Sequence, residues 1–394
     1  MNQHGALVIG AGPAGLRAAE ILAAAGIETR IFEQKPSLGR KFLVAGRGGL
    51  NITHSEAYDL FVTRYDSPAR WQRLLQSFRP EELRAWLESL GVPTFVGTSG
   101  RVFPKSQRAP EILERWLERL YKLGCDIRTG YKFHHLLGQS PFDVVFQKGH
   151  EFAFETGDVV VFACGGASWP QTGSDGAWVE QFTSMGISIT PFTPSNVGWE
   201  CPWSPEFLAI ADGKPLKNVA ATCAGRTVRG ELLITKYGLE GGVVYQLTRE
   251  LRQDHNITID LKPDLDPTEL RRRWREGESI KESAAKNWRL SAAAIALLEE
   301  KKCFSDFPTL LAGIKRTEVK LVAPRPVEEA ISSAGGVDWD ELDDELMLKK
   351  YPGMFCAGEM IDWDAPTGGY LLQGCFATGT IAGQGAVKWI AQDR

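Results

Sequence analysis

Apolar and polar positions alternate along this chain in a way that marks out elements in order. Residues 6–9 are continuously apolar and predict a buried strand, residues 16–25 are rich in Ala, Leu and Ile and predict a helix, and a second apolar strand ends in Thr29-Arg30-Ile31-Phe32-Glu33. Helical periodicity covers 68–90 and 109–123. A short strand follows at 125–129, a β-hairpin at 133–154 and a buried strand at 158–164, apolar without a break after Asp158. After about residue 189 the pattern shifts to short alternating or apolar stretches at 196–199, 219–223, 231–234 and 257–261, which predict an antiparallel β region. Segment 266–320 turns helical, and an α/β pattern returns from about residue 326.

The junction between the first strand and the first helix carries Gly10, Gly12 and Gly15 in G-x-G-x-x-G spacing, with Pro13 and Ala14 inside the turn. Strand, glycine turn, helix, strand and closing acid together form the full context of a dinucleotide-binding fingerprint. Gly10 permits the tight turn, Gly12 lets the backbone approach a pyrophosphate, and Gly15 lets the helix pack on the sheet. The helix start offers unpaired N–H groups and a partial positive charge to phosphates. Glu33, about twenty residues beyond the glycines, is placed to accept hydrogen bonds from ribose hydroxyls. An acid there disfavours a 2′-phosphate, so FAD or NAD is expected rather than NADP. The bland alternative, turn glycines beside an ordinary helix, leaves the closing acid unexplained.

These elements predict an α/β protein. A discontinuous Rossmann-like domain spans 1–189 and 326–394, interrupted by an inserted β-rich domain at 190–262 and a helical subdomain at 263–325. With 394 residues, 43% hydrophobic and 24% charged, the composition is that of a globular protein of two or three domains. The net charge of −4 argues against a surface dominated by attraction to nucleic acid or anionic membrane. No secretion signal and no membrane-spanning run is read. The seven cysteines are scattered and never spaced C-x-x-C, which suits a cytoplasmic location and counts against a dithiol redox centre. The six histidines form no ligand cluster, so no metal site is expected.

Four further segments bear on whether the dinucleotide is a bound flavin. Segment 39–53, GRKFLVAGRGGLNIT, combines Gly39, Gly46 and Gly48 with Arg40, Lys41, Arg47 and Asn51. Such a loop can lay N–H groups along a phosphate or a flavin edge, although a mobile surface loop has the same composition. Segment 162–176, FACGGASWPQTGSDG, resembles the A-T-G-G strand end of two-dinucleotide-domain flavoproteins, with Ala163, Gly165 and Gly166 beside the cofactor and Cys164 where Thr is usual. SSAGGV at 332–337 reads as a glycine turn under the flavin. Segment 354–383 runs from a strand end into Gly358 and Glu359, then Asp362 and Asp364, then Gly368, Gly369 and Tyr370, then a small-residue helix. An acid after the strand would accept ribityl hydroxyls, and the helix N-terminus would stabilise negative charge on reduced flavin.

On these motifs, with GRVFPKS at 100–106 and TKYGLEGG at 235–242, the chain resembles the HI0933-like flavoprotein family, the BaiN/RdsA-type NAD(P)/FAD-dependent oxidoreductases, over nearly its whole length. The resemblance implies an FAD domain interrupted by a β-rich and a small helical domain. It also implies acceptors that are conjugated alkenes, such as unsaturated steroid-like ketones or uracil in ribosomal RNA. The chain reads as a divergent branch. The family's S-G-G-G-R-C-N is here Ala45-Gly46-Arg47-Gly48-Gly49-Leu50-Asn51, and its G-L-S-G-P is Gly238-Leu239-Glu240-Gly241-Gly242.

The leading expectation is an FAD-dependent reductase that takes hydride from NAD(P)H, a transient electron donor, and passes it through flavin N5 to an electron-poor C=C. Only one dinucleotide fingerprint is present, so no second domain is set aside for NAD(P)H. An acid must protonate the carbon left negative, and Lys236, Tyr237 and Tyr370 are the candidates. A small-molecule substrate is expected, with the oligomeric state open. Two other classes remain at this stage. One is an oxidase or dehydrogenase of a small organic substrate. The other is an RNA-binding flavoprotein, prompted by Arg271, Arg272, Arg273 and Arg275, although nearby acids make a solvated helix the simpler reading.

Overall fold

The computed structural model describes residues 4–45, 49–274 and 279–392. The chain divides into two compact units, Met1–Thr193 with Ser332–Arg394, and Pro194–Ile331. The sequence pattern placed the corresponding edges at 189/190 and 325/326.

The first unit is built on a parallel sheet of five strands: β1 (Ala6–Ile9), β2 (Thr29–Glu33), β3 (Asp126–Thr129), β4 (Val159–Phe162) and β5 (Met354–Cys356). Their order across the sheet is β5-β4-β1-β2-β3. Every residue of β1, β4 and β5 is buried, as continuous apolar runs require when both faces of a sheet are covered. Ile9 stands opposite Phe162 on one side and Phe32 on the other, and Phe162 stands opposite Cys356. The carboxyl ends of four strands therefore finish at one level.

Helix α1 (Pro13–Ala24) leaves the end of β1 and packs against the last helix, α2 (Tyr370–Gln392). Small residues make that contact close: a Cβ at Gly379 would lie 2.3 Å from the Ala14 carbonyl oxygen, and one at Gly383 3.0 Å from that of Ala18. The carboxylate of Glu20 on α1 is buried as well. It accepts hydrogen bonds from the indole N–H groups of Trp86 and Trp116 and from the guanidiniums of Arg17 and Arg119, at 3.0 to 3.2 Å.

Three local expectations change. The helix expected over 68–90 is two helices, Pro68–Gln76 and Pro80–Ser89. Pro80 forces Arg79 into an extended conformation (φ −76°, ψ 165°), which ends the first helix. The hairpin at 133–154 is a three-stranded meander, Lys132–Leu137, Phe142–Lys148 and Glu151–Gly157. SSAGGV is a buried strand, Ser332–Val337, not a turn. It lies beside Ile189–Ser195, and its Gly335 permits the approach, since a Cβ there would sit 2.5 Å from the Pro191 carbonyl oxygen.

The second unit carries a six-stranded antiparallel sheet in the order Trp199–Glu200, Gly238–Glu240, Arg226–Thr235, Pro215–Cys223, Asn256–Asp260 and Thr317–Lys320. Its last strand comes from beyond the helical stretch. Leu270, Ala284, Leu297 and Leu310 of the helices share one buried cluster with Ile257, Ile259 and Val319 of the sheet. Among the described residues no helix is long and apolar enough to cross a membrane.

Candidate functional site

The carboxyl ends of β1, β2, β4 and β5 open into a cavity of about 940 Å³, part of it continuous with solvent. Its wall includes Gly10 to Ala14, Glu33 and Gln34, Gly39 to Phe42, Tyr131 to Phe133, Ala163 to Gly165, Thr172 to Asp175, Trp178, Gly358 and Glu359, and Cys375. This is the crevice in which parallel α/β sheets bind ligands.

The three fingerprint glycines meet different demands. A Cβ on Gly10 would lie 2.2 Å from the Ala163 carbonyl oxygen, and its φ is +104°. A Cβ on Gly15 would lie 1.9 Å from the Gly10 carbonyl oxygen. Both are required by the protein's own packing. Gly12 is not: a Cβ there would meet nothing within 4 Å, and its φ of −83° suits any residue. Gly12 therefore keeps open a space that the protein itself does not fill. It also caps α1, whose first turn has no side-chain cap and so leaves N–H groups for a ligand.

Glu33 closes β2 at the cavity edge. Its Oε2 accepts from the Ala11 N–H at 3.0 Å and its Oε1 from the Lys35 N–H at 2.9 Å. Burial pushes its carboxyl above the usual glutamate range, and these two donors offset part of that shift. Gln34 Nε2 donates to the Gly173 carbonyl oxygen at 2.7 Å, tying the loop after β4 to the end of β2.

Lys41 crosses the cavity wall. Its Nζ donates to Glu359 Oε2 at 2.6 Å and to Ser168 Oγ at 2.7 Å, which joins two predicted residues 318 positions apart in sequence. Two polar atoms of the wall are buried without a partner, Ser174 Oγ and Arg40 Nε. Cys164 and Cys375 also reach the wall, but burial pushes both thiols up, so neither offers a thiolate. An open cradle at Gly12, bare N–H groups at a helix start and orphaned polar atoms fit an adenine dinucleotide.

The other predicted residues that the structure describes do not line this wall. Gly46, Arg47 and Gly48 fall outside the described residues. Asn51 Nδ2 donates to the carbonyl oxygens of Thr53 and Val102, and its buried Oδ1 has no partner. Leu50 is core. Gly166 faces Ser333, whose Oγ would lie 2.1 Å from an added Cβ. Asp362 Oδ1 accepts from the Gly335 N–H at 3.0 Å, and Gly369 abuts the Thr53 backbone. The Tyr370 hydroxyl donates to Glu56 Oε1 at 2.5 Å. Lys236 and Tyr237 belong to the second unit. Lys236 is exposed, and the Tyr237 hydroxyl donates to Glu240 beneath the Arg325 guanidinium. Among the described residues no cluster of three or more His, Cys, Asp or Glu could hold a metal ion.

Sequence reasoning missed Tyr131, Phe133, Ser174 and Trp178. Tyr131 arrives because β3 is the neighbour of β2, and its N–H donates to the Glu33 carbonyl oxygen at 3.0 Å. Nothing in the local sequence announces that pairing. Ser174 lay inside a quoted motif, but only its burial without a partner singles it out.

The family model described as the HI0933-like protein Rossmann domain matches residues 4–385. A 3-dehydro-bile acid delta(4,6)-reductase of Clostridium scindens is 28% identical over 98% of this chain and 100% of its own length. A ribosomal RNA dihydrouridine synthase of Escherichia coli is 23% identical, with 98% of each chain covered. Among solved structures, a 3-ketosteroid-delta4-(5alpha)-dehydrogenase from Rhodococcus jostii shares the fold with a TM-score of 0.57 at 14% identity, covering 97% of this chain and 96% of that one. The chain belongs to the HI0933-like family of FAD-dependent oxidoreductases.

Proposed function

We propose that FAD occupies the cavity at the carboxyl ends of the parallel strands and that the protein reduces an electron-poor C=C of a small molecule with electrons from NAD(P)H. The open space at Gly12 carries this reading, because that glycine serves no packing or backbone need of the protein. The start of α1 would hold the pyrophosphate and Glu33 a ribose, while Lys41 and Glu359 would face the flavin half. Bound FAD supplies two-electron chemistry at N5, which links a nicotinamide donor to an alkene acceptor.

The chain must supply the rest. Hydride addition to one alkene carbon leaves an electron pair on the carbon beside the activating group, and an acid must then give that carbon a proton. Tyr237 and Tyr370 are protonated at neutral pH as any phenol is, and burial with a neighbouring carboxylate pushes each further up, which makes each a weaker acid. Lys236 is the exposed alternative. The name of the Clostridium scindens relative specifies reduction at delta(4,6) of a bile acid, and dihydrouridine is uridine with its ring C=C reduced. A conjugated alkene is the chemistry common to both. A small molecule is favoured over RNA because Arg272 and Arg273 are both paired with Glu269, at 2.7 and 2.8 Å.

Purified protein should be yellow, with the absorption bands of oxidised flavin, and anaerobic NADH or NADPH should bleach it. Conjugated enones should then restore the colour. Colourless protein that FAD cannot reconstitute would end the cofactor reading. Bleaching by organic substrates but not by either nicotinamide would reverse the direction and make the protein a dehydrogenase.

A further inference from the structure

Ser174 is 6% exposed and lines the cavity, yet its Oγ has no hydrogen-bond partner. A buried hydroxyl without a partner is costly, and most such groups in folded proteins are satisfied. Its surroundings are specific. The preceding residue, Gly173, sits beside Glu33, so that a Cβ there would lie 3.6 Å from Glu33 Oε1. On its other side is Gly165, whose added Cβ would lie 3.0 Å from Ser174 Oγ. The hydroxyl thus stands on the wall between the acid that ends β2 and the turn that follows β4. The side chain next to Gly165 supplies no hydroxyl, since Cys164 directs its thiol at the Ile9 carbonyl oxygen.

We infer that Ser174 is a specificity residue for the adenosine ribose, its Oγ sharing the ribose hydroxyls with Glu33. This rests on the FAD reading above. Glu33 already accepts a backbone N–H at each carboxylate oxygen and can only accept again, whereas Ser174 can both donate and accept. A diol between them can donate a hydrogen bond to Glu33 and accept one from Ser174. Space and polarity there fit a ribose carrying free 2′ and 3′ hydroxyls, and a 2′-phosphate would face the Glu33 carboxylate.

The test starts from purified holoprotein. FAD release on dilution is followed by flavin fluorescence for wild type, Ser174→Ala and Ser174→Thr, with ADP, 2′-deoxy-ADP or 3′-deoxy-ADP as competitor. Ser174→Ala should bind FAD about 5- to 10-fold more weakly, the loss of one hydrogen bond, and Ser174→Thr should remain within about 2-fold of wild type. The preference for ADP over one of its deoxy forms should shrink in Ser174→Ala. Unchanged FAD affinity in Ser174→Ala overturns the inference. So does a loss that leaves the ratio of ADP to both deoxy forms untouched. Wild-type protein that binds no FAD at all would instead remove the reading on which the inference stands.

Discussion

Lys41 Nζ lies 2.6 Å from Glu359 Oε2, joining the segment after β2 to the segment after β5. The Glu359 side chain is only 12% exposed, so removing Lys41 would leave a largely buried carboxylate without its ion-pair partner. Lys41→Met should therefore destabilise the protein by about 1–3 kcal/mol, since removing one member of a partly buried pair strands the other. Glu359→Gln in the same chain should recover part of the loss, because no charge is then left alone. Unfolding midpoints of both single variants and the double variant, at a fixed excess of FAD, give the coupling. Additive effects would mean that the pair does not act as a unit.

The fingerprint glycines separate folding from binding. Gly10→Ala and Gly15→Ala would drive a Cβ into backbone oxygens at 2.2 and 1.9 Å, so both should lower the melting temperature and lose flavin with the fold. Gly12→Val has open space before it and an accessible backbone angle. Its circular dichroism and apoprotein melting should stay near wild type, while FAD affinity falls by about 100-fold or more as the side chain fills the phosphate approach. A Gly12→Val protein that stays yellow at wild-type affinity would refute the assignment of that turn.

The N-terminal βαβ unit was legible because its demands are local. Ile9, Gly10, Gly12 and Glu33 are fixed by short-range spacing, and the structure brings all four to one cavity edge. Glu359 was legible for the same reason, as the first acid after a strand end. Its pairing with Lys41 was not, because it depends on the return of the chain beside β4. Local reading misjudged SSAGGV, where the glycines serve a close approach of two strands and not a turn. Asp362 read as a ligand-facing acid, and its Oδ1 also accepts from the N–H of Gly335, a contact with no signature in sequence.

The buried carboxylate of Glu20 should matter more for stability than any exposed ion pair. It satisfies the indole N–H groups of Trp86 and Trp116 and holds Arg17 and Arg119. Glu20→Ala would leave four donors without that acceptor inside the first unit. A loss of about 3–5 kcal/mol is expected, the scale for breaking a buried charged network. Trp86 and Trp116 are themselves reporters, so urea unfolding followed by tryptophan emission should show both the loss and a shifted native spectrum. A change under about 1 kcal/mol would mean that the network relaxes onto water.

Glu56 makes the fold's acid sensitivity depend on Tyr370. Burial pushes the Glu56 carboxyl up, but hydrogen bonds from Arg64 and from the Tyr370 hydroxyl, with the nearby His54, pull it further down, and the net position is below the ordinary glutamate range. A carboxyl depressed in the folded state contributes stability above its unfolded pKa of about 4.3, and that contribution fades as pH falls through the folded value. Tyr370→Phe removes one donor and raises Glu56 toward its ordinary value. The variant should be less stable than wild type at pH 7, and the gap should narrow steadily from about pH 5 downward as Glu56 protonates in both proteins. Urea midpoints at intervals from pH 7 to pH 3 would check this. A gap that stays constant across that range would show that the Tyr370 hydroxyl contributes independently of Glu56 ionisation.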